Sequence, residues 1–437
     1  MRKLFATAGA VLALGVTSAF AAAAPAQAAP PTDQEIFARV AAVQPKVVDW
    51  RRDLHRHPEL ANRETRTAGV VAAHLRRLGL EVRTGVAYTG VIGVLRGARP
   101  GPTVALRADM DALPVQEKTG LPFASTATGT FEGNTVPVMH ACGHDAHVAM
   151  LMGAAEVLAG MKSEIAGTIV FIFQPAEEGP PLEEGGGAGM MIQQGALDAP
   201  KVDAIFGLHV WTGPSGQLSW RPRGFMASAD KIEIKVRGRQ THGARPWSGV
   251  DTASVSADIV QAINTISARR IDVTASPTVA TISTIHMGVR HNIIPEDLTL
   301  TGTLRTFSPE RREDMKAKIT DAVRNIAEIY GAQAEVNFLQ PYPVTYNDPP
   351  LSEAIRPVLA RAAGERGINP QADLVTGAED FSLFQERVPG VFFFLGIAEP
   401  GKAPADVAPN HSPYFTIHEP AMEIGVRAHV LSALSYL

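Results

Sequence analysis

The sequence predicts an α/β protein into which a smaller α+β domain is inserted, and three observations carry that expectation. Near-continuous apolar runs recur along the chain: GTIVFIF at 167–173, VDAIFGLHV at 202–210 and VFFFL at 391–395. Such runs are expected of strands covered on both faces. Segments of helical spacing, such as 145–160, lie between them, which implies layers of helix and sheet. In mid-chain the texture changes. KIEIKVRG at 231–238 alternates apolar and charged residues, so that one face of the strand meets solvent.

Taken in order, the chain opens on MRKLFATAGAVLALGVTSAFAAAAPAQA. Two basic residues, an apolar run and Ala26-Gln27-Ala28 have the pattern of a secretory signal over 1–28. Cleavage after Ala28 removes Arg2 and Lys3 and no acid, taking the net charge from −4 to −6. The sequence thus predicts a secreted or periplasmic protein. Residues 35–78 read as mostly helical, broken at His57-Pro58. A short strand at 103–107 leads to Asp109 and Asp111, and a helix at 145–160 has Asp145 as its expected N-cap. After the strands at 167–173 and 202–210 comes the alternating segment, then a helix at 252–266. Strands VATISTIHMG and LTLTGTLRTF, a helix at 309–330 and the strand AEVNFL complete it. Two helices over one face of an antiparallel sheet is a ferredoxin-like arrangement. The strand at 391–395 and a final helix at 421–437 return to the first domain. The boundaries expected are 29–221 and 341–437 for the larger domain, and 222–340 for the insert.

The composition excludes some functions. With 437 residues, 45% hydrophobic and 19% charged, the chain can bury a large core without disulfides. A net charge of −4 with no long basic run excludes a nucleic-acid surface. The single cysteine, Cys142, makes no internal disulfide. It is a free thiol, a small buried hydrophobe or a ligand.

Its neighbours decide. MHACGHDAH at 139–147 places Cys142 and His144 in a Gly-containing loop before a helix. QPAEEG at 174–179 follows one predicted strand, His209 ends another, and Asn410-His411-Ser412-Pro413 follows the last. In open α/β sheets ligands bind at the carboxyl ends of strands, so these groups fall at one edge. Thiolate and imidazole suit zinc and other first-row transition ions, and carboxylates suit harder ions such as Mn²⁺. The rival reading makes Cys142 a nucleophile paired with a histidine. Against it stand Glu177 and Glu178: adjacent carboxylates point in different directions, one to metal and one to a water, and a cysteine hydrolase needs no such pair. The chemistry expected is hydrolysis. A metal brings the pKa of its water from ~15.7 to ~7, and Glu177 takes the proton and passes it to the leaving amine.

The sequence resembles the co-catalytic metallopeptidases and aminoacylases, specifically the branch of N-acyl-amino-acid amidohydrolases with hippurate hydrolase and the hydrolases of indole-acetyl-amino-acid conjugates. The stretches that carry the likeness are RRDLHRHPEL, RADMDALPVQE, MHACGHDAHVAML, FQPAEEG, GLHV, NIIPEDLTLTGTLRTF, TGAEDFSLF and NHSPYF, from about residue 51 to the C-terminus. The resemblance implies a zinc-peptidase-like α/β/α catalytic domain with an inserted lid and dimerisation domain, hence a homodimer. It implies two divalent ions per subunit held by Cys142, His144, Glu178, His209 and His411, with Glu177 as general base and Asp111 in support. Mn²⁺ or Zn²⁺ fits these donors first, and Co²⁺ or Ni²⁺ also. It places His242, Asn292 and Arg305 on the substrate. His140 and His147 are expected to orient ligands, and His55 and His57 to be structural. Two features depart from the pattern: Arg239-Gln240-Thr241 stands where many relatives have a glycine pair, and GPPLEEGGGAG after Glu178 is longer and more acidic. The activity implied is amide cleavage of N-acyl amino acids; a carboxypeptidase or dipeptidase on the same scaffold, or a non-catalytic relative, are the alternatives.

Overall fold

A computed structural model describes residues 31–437 except 182, 404 and 405, together with Gly9. The segment read as a signal therefore lies, Gly9 apart, outside the described residues. No helix among the described residues is long and apolar enough to cross a membrane.

The apolar runs become the centre of an eight-stranded sheet. Its order is Glu81–Val86, Gly90–Arg96, Ala166–Gln174, Arg99–Asp109, Ala204–Pro214, Gly390–Ala398, Leu218–Ser219 and Ile368–Asn369. The four strands at its middle run parallel. Their residues divide by alternation between two cores. Leu106, Phe171, Phe173, Phe393 and Leu395 face one cluster with the helices Asp33–Arg56, His144–Ala159 and Met422–Tyr436. Ala105, Val170, Ile172, Phe392 and Phe394 face the other, with Phe381 and Phe384. Both faces are covered, which is why these strands show no polar alternation. The result is an α/β/α layering.

The alternating segment builds a separate four-stranded antiparallel sheet. Its order is Thr278–Met287, Asp297–Thr306, Ala229–Arg237 and Gln333–Tyr342. Ile232, Ile234, Val236, Leu298 and Leu300 pack under Thr252–Arg269 and Pro309–Tyr330 through Val255, Ile259, Ile263, Met315 and Ile319. Two helices on one face give the ferredoxin-like arrangement expected.

Two local readings are corrected, and three elements are added. Asp145 does not cap its helix: Gly143 occupies the N-cap position, and the buried Asp145 carboxylate accepts from Arg51 Nε at 2.8 Å and His55 Nδ1 at 2.9 Å. His209 does not end its strand, which runs on to Pro214. The strands Glu81–Val86 and Gly90–Arg96 and the helix Pro349–Ala363 had not been singled out.

Candidate metal centre

The site forms where the parallel strands end. Asp109 and Gln174 are the last residues of adjacent strands. Gly143 turns the chain at φ 99, and a Cβ there would meet Val210 Cγ2 at 2.3 Å. Only glycine fits this turn, which sets Cys142 just before the helix and His144 on its first residue. His209 comes from the strand beneath. Cys142, His144 and His209 offer donor atoms within 4.8 Å of one another, and so do Cys142, Glu178 and His411. A third such group is His144, Glu177 and Glu178. The five expected ligands and Glu177 thus converge.

The surroundings aim these donors. His209 Nδ1 donates to the Val210 carbonyl at 2.7 Å, which leaves Nε2 bare, 3.4 Å from Cys142 Sγ. Asn410 Nδ2 donates to the Cys142 carbonyl at 2.9 Å. His411 lies at φ 70 with Nε2 3.0 Å from Glu178 Oε1. His147 donates from Nδ1 to Asp109 at 2.6 Å and accepts the Val210 N–H on Nε2 at 2.8 Å. With both nitrogens engaged, it orients neighbours and is not a free donor. His140 is buried with neither ring nitrogen partnered.

The Glu177-Glu178 loop is pinned through its backbone. Asp111 accepts the N–H of Glu177 at 3.1 Å and of Glu178 at 3.0 Å, and Glu64 accepts that of Ala176 at 2.9 Å. The two carboxylates then diverge. Burial, Glu379 and Glu178 push the Glu177 carboxyl well above its usual range. Burial opposes ionisation of Glu178 too, but His411 and His144 outweigh it and hold that group below its usual range. Environments that push paired carboxyls apart give them different roles.

The donor set fits a metal ion. The ring nitrogens of His144 are buried and face only carboxylates, Nδ1 at 3.3 Å from Asp111 and Nε2 at 3.8 Å from Asp109 and 3.9 Å from Glu177, without well-formed hydrogen bonds, and Oε1 of Glu178 has only His411 at 3.0 Å; a bound cation would complete this set. Burial opposes charge on His144, yet Asp109 and Asp111 raise it to about 10; burial and Glu178 push the Cys142 thiol up. A divalent cation beside these groups would favour the thiolate and the ionised carboxylates.

Residues that the sequence reading left without a role complete the setting. Arg107, fully buried, donates to Gln174 at 2.9 Å, Asp109 at 2.6 Å, Glu379 at 2.9 Å and Asp380 at 3.1 Å. Burial lifts Glu379 to about 8 and Asp380 to about 6 against the pull of Arg107. Arg107 and the Glu379-Asp380 pair stood in RADMDALP and TGAEDF, but no spacing showed that they meet. The three lid residues lie in or beside the strands of the inserted segment. His242 pairs in register with Ile293, and Gly243 N–H donates to the Asn292 carbonyl at 2.8 Å, so His242 and Asn292 are neighbours. Arg305, half-buried, donates from Nε to Thr303 at 3.2 Å on the sheet. None of the described hydrogen bonds or ion pairs joins these three to the donor cluster. In the acidic insert, Arg63 holds Glu184 down to about 2, so that carboxylate is already paired.

Cys, His and Glu donors beside a second buried carboxyl, at the ends of parallel strands, define a metal-dependent hydrolase. The chain belongs to peptidase family M20/M25/M40, whose model matches residues 105–435, and to its amidohydrolase branch. It is 42% identical to thermostable carboxypeptidase 1 of Saccharolobus solfataricus over 90% of this chain and 96% of that one. It is 35% identical to the IAA-amino acid hydrolase ILR1-like 4 of Arabidopsis thaliana, over 89% and 86%. It is 34% identical to the N-acetylcysteine deacetylase of Bacillus subtilis, over 87% and 93%. Among solved structures, the YXEP protein of Bacillus subtilis, a dinuclear metal-binding peptidase of the M20 family, superposes with a TM-score of 0.73. It is 32% identical, over 91% of this chain and 98% of that one.

Proposed function

We propose that the protein is an exported dinuclear metal amidohydrolase that cleaves N-acyl amino acids to a carboxylate and a free amino acid. The observation that carries this is the convergence of two donor groups, Cys142-His144-His209 and Cys142-Glu178-His411, with Glu177 beside them and outside both. The solved relative described as dinuclear supports two ions; Mn²⁺ and Zn²⁺ suit the donors best. When bound, the ions supply an acidified water and a polarised carbonyl.

The chain's own residues do the rest. Cys142, His144, Glu178, His209 and His411 hold the ions. Glu177 accepts the water's proton and delivers it to the leaving amine. His242, Asn292 and Arg305 receive the amino-acid end of the substrate, the guanidinium matching its carboxylate. The substrate class is supported by the relatives named for hydrolysing an IAA-amino acid and N-acetylcysteine. The carboxypeptidase relative favours a second reading, peptide hydrolysis at the same centre. The free edge strand Thr278–Met287, with Val279 and Ile285 exposed, suits a homodimer. The N-terminal pattern at 1–28 supports export.

The test is amino-acid release by residues 29–437 from N-acetyl, N-benzoyl and N-indoleacetyl amino acids and from dipeptides, with Glu177→Gln as control. Release from acyl amino acids that falls on the order of 10²–10⁴-fold in Glu177→Gln is expected. Release from dipeptides alone moves the protein to the peptidase reading, and full activity in Glu177→Gln removes the base assigned here.

A further inference from the structure

Four backbone groups hold the loop that carries Glu177. Three are N–H groups on the carboxylates of Glu64 and Asp111. The fourth is the Glu177 carbonyl, which accepts the Tyr342 hydroxyl at 3.2 Å. The loop needs such ties, because Ala176 sits at φ 53, a conformation that costs a non-glycine residue free energy.

Tyr342 differs from the other three ties in where it comes from. Glu64 and Asp111 belong to the body around the large sheet. Tyr342 is the last residue of Gln333–Tyr342, one of the two edge strands of the four-stranded sheet, where the chain leaves that sheet. It pairs with Ala229, the first residue of the strand by which the chain enters. The two crossings between the sheets therefore lie side by side, and any rotation of one body on the other passes through this pair. The ladder slips between Ala229 and Lys231, opposite Gln340 at φ 49. A bulge of this kind re-aims the side chains that follow it, and here it delivers the tyrosine hydroxyl to the catalytic loop.

We propose that Tyr342 is a positioning residue that couples the placement of the four-stranded sheet to the general base Glu177. The inference rests on the hydrolase reading, with Glu177 as base. Glu177 has two buried acidic neighbours, Glu379 and Asp380, within reach of its carboxyl, so a small turn of its peptide changes which group it faces. A displacement of ~1 Å at a reacting group costs on the order of 10²-fold.

The test is Tyr342→Phe, which keeps the ring and removes the hydroxyl. Three quantities are read: kcat and KM on the best N-acyl amino acid, melting temperature, and amide hydrogen exchange in the peptide covering 174–180. The expected result is a kcat lower by about tenfold, KM within about twofold of wild type, unchanged melting temperature and faster exchange at 174–180. A kcat within twofold of wild type, or a loss that follows a lowered melting temperature, overturns the proposal. If wild type turns over nothing in the panel, the hydrolase reading fails by itself. The exchange measurement then decides the tie alone: faster exchange sustains it, and unchanged exchange ends it.

Discussion

Cys142 is a donor shared by two groups, and its surroundings explain why a thiol serves there. Burial and the carboxylates of Glu178 and Glu177 disfavour a bare thiolate, whereas a bound divalent cation stabilises one. Changing Cys142→Ala is expected to lower affinity for Mn²⁺ and Zn²⁺ by more than the ~10–100-fold typical of supporting residues, with the fold retained. Calorimetric titration checks it, and affinity within a few fold of wild type would count against the assignment. That these groups come together was legible in the sequence because Cys142-Gly143-His144 and Glu177-Glu178 are local pairs of metal-ligating residue types that follow predicted strands. The residues that aim them were not legible. Glu64 reaches Ala176 across 112 positions and Tyr342 reaches Glu177 across 165, and a glutamate or tyrosine far along the chain carries no local mark of that contact.

Among the elements, the turn into the helix His144–Ala159 bears most directly on the donors. Gly143 lies at φ 99 against the Val210 side chain. Gly143→Ala is expected to destabilise the protein by on the order of 1–3 kcal/mol through crowding alone, with added strain from the backbone, and to separate Cys142 from His144. Thermal melting with metal titration checks it; an unchanged melting temperature with full metal affinity contradicts it. The expectation that Asp145 caps this helix failed for an instructive reason. Asp at a helix start satisfies the local rule, but Arg51 and His55, distant in sequence, offer a buried carboxylate stronger partners. The strands at 167–173, 202–210 and 391–395 were legible because their apolar runs are short and near-continuous, whereas the equally buried Gly90–Arg96 was not singled out. Nor was Glu81–Val86, since it lies at the sheet edge and is mostly exposed.

At the scale of the whole molecule, His55 joins parts that the sequence keeps apart. It donates from Nδ1 to Asp145 on the helix after Gly143, and from Nε2 to Glu117 at 3.2 Å on the segment whose Lys118 N–H donates to Pro413 at 2.8 Å. Both ring nitrogens face carboxylates, so the imidazolium form is favoured: burial opposes it, but Asp145 and Glu117 raise the His55 pKa above 6.5. A raised folded-state pKa contributes stability that is full below the unfolded value, about 6.5, and is lost as pH rises through the folded value. The melting-temperature gap between wild type and His55→Gln is therefore expected to be widest near pH 6 and to narrow towards pH 9. A gap independent of pH would show that His55 is held neutral. The two-sheet architecture was legible from hydrophobic patterning, because patterning records which faces are buried.

The most direct test of the central claim is amino-acid release by metal-stripped protein as Mn²⁺ or Zn²⁺ is added back in counted equivalents. The stripped protein is expected to be inactive, with activity rising to a plateau at two equivalents per chain and unaffected by thiol alkylation once the metal is bound. Activity that survives stripping and disappears on alkylation of Cys142 would contradict the account, because it would make the thiol a nucleophile and the surrounding histidines and glutamates its attendants.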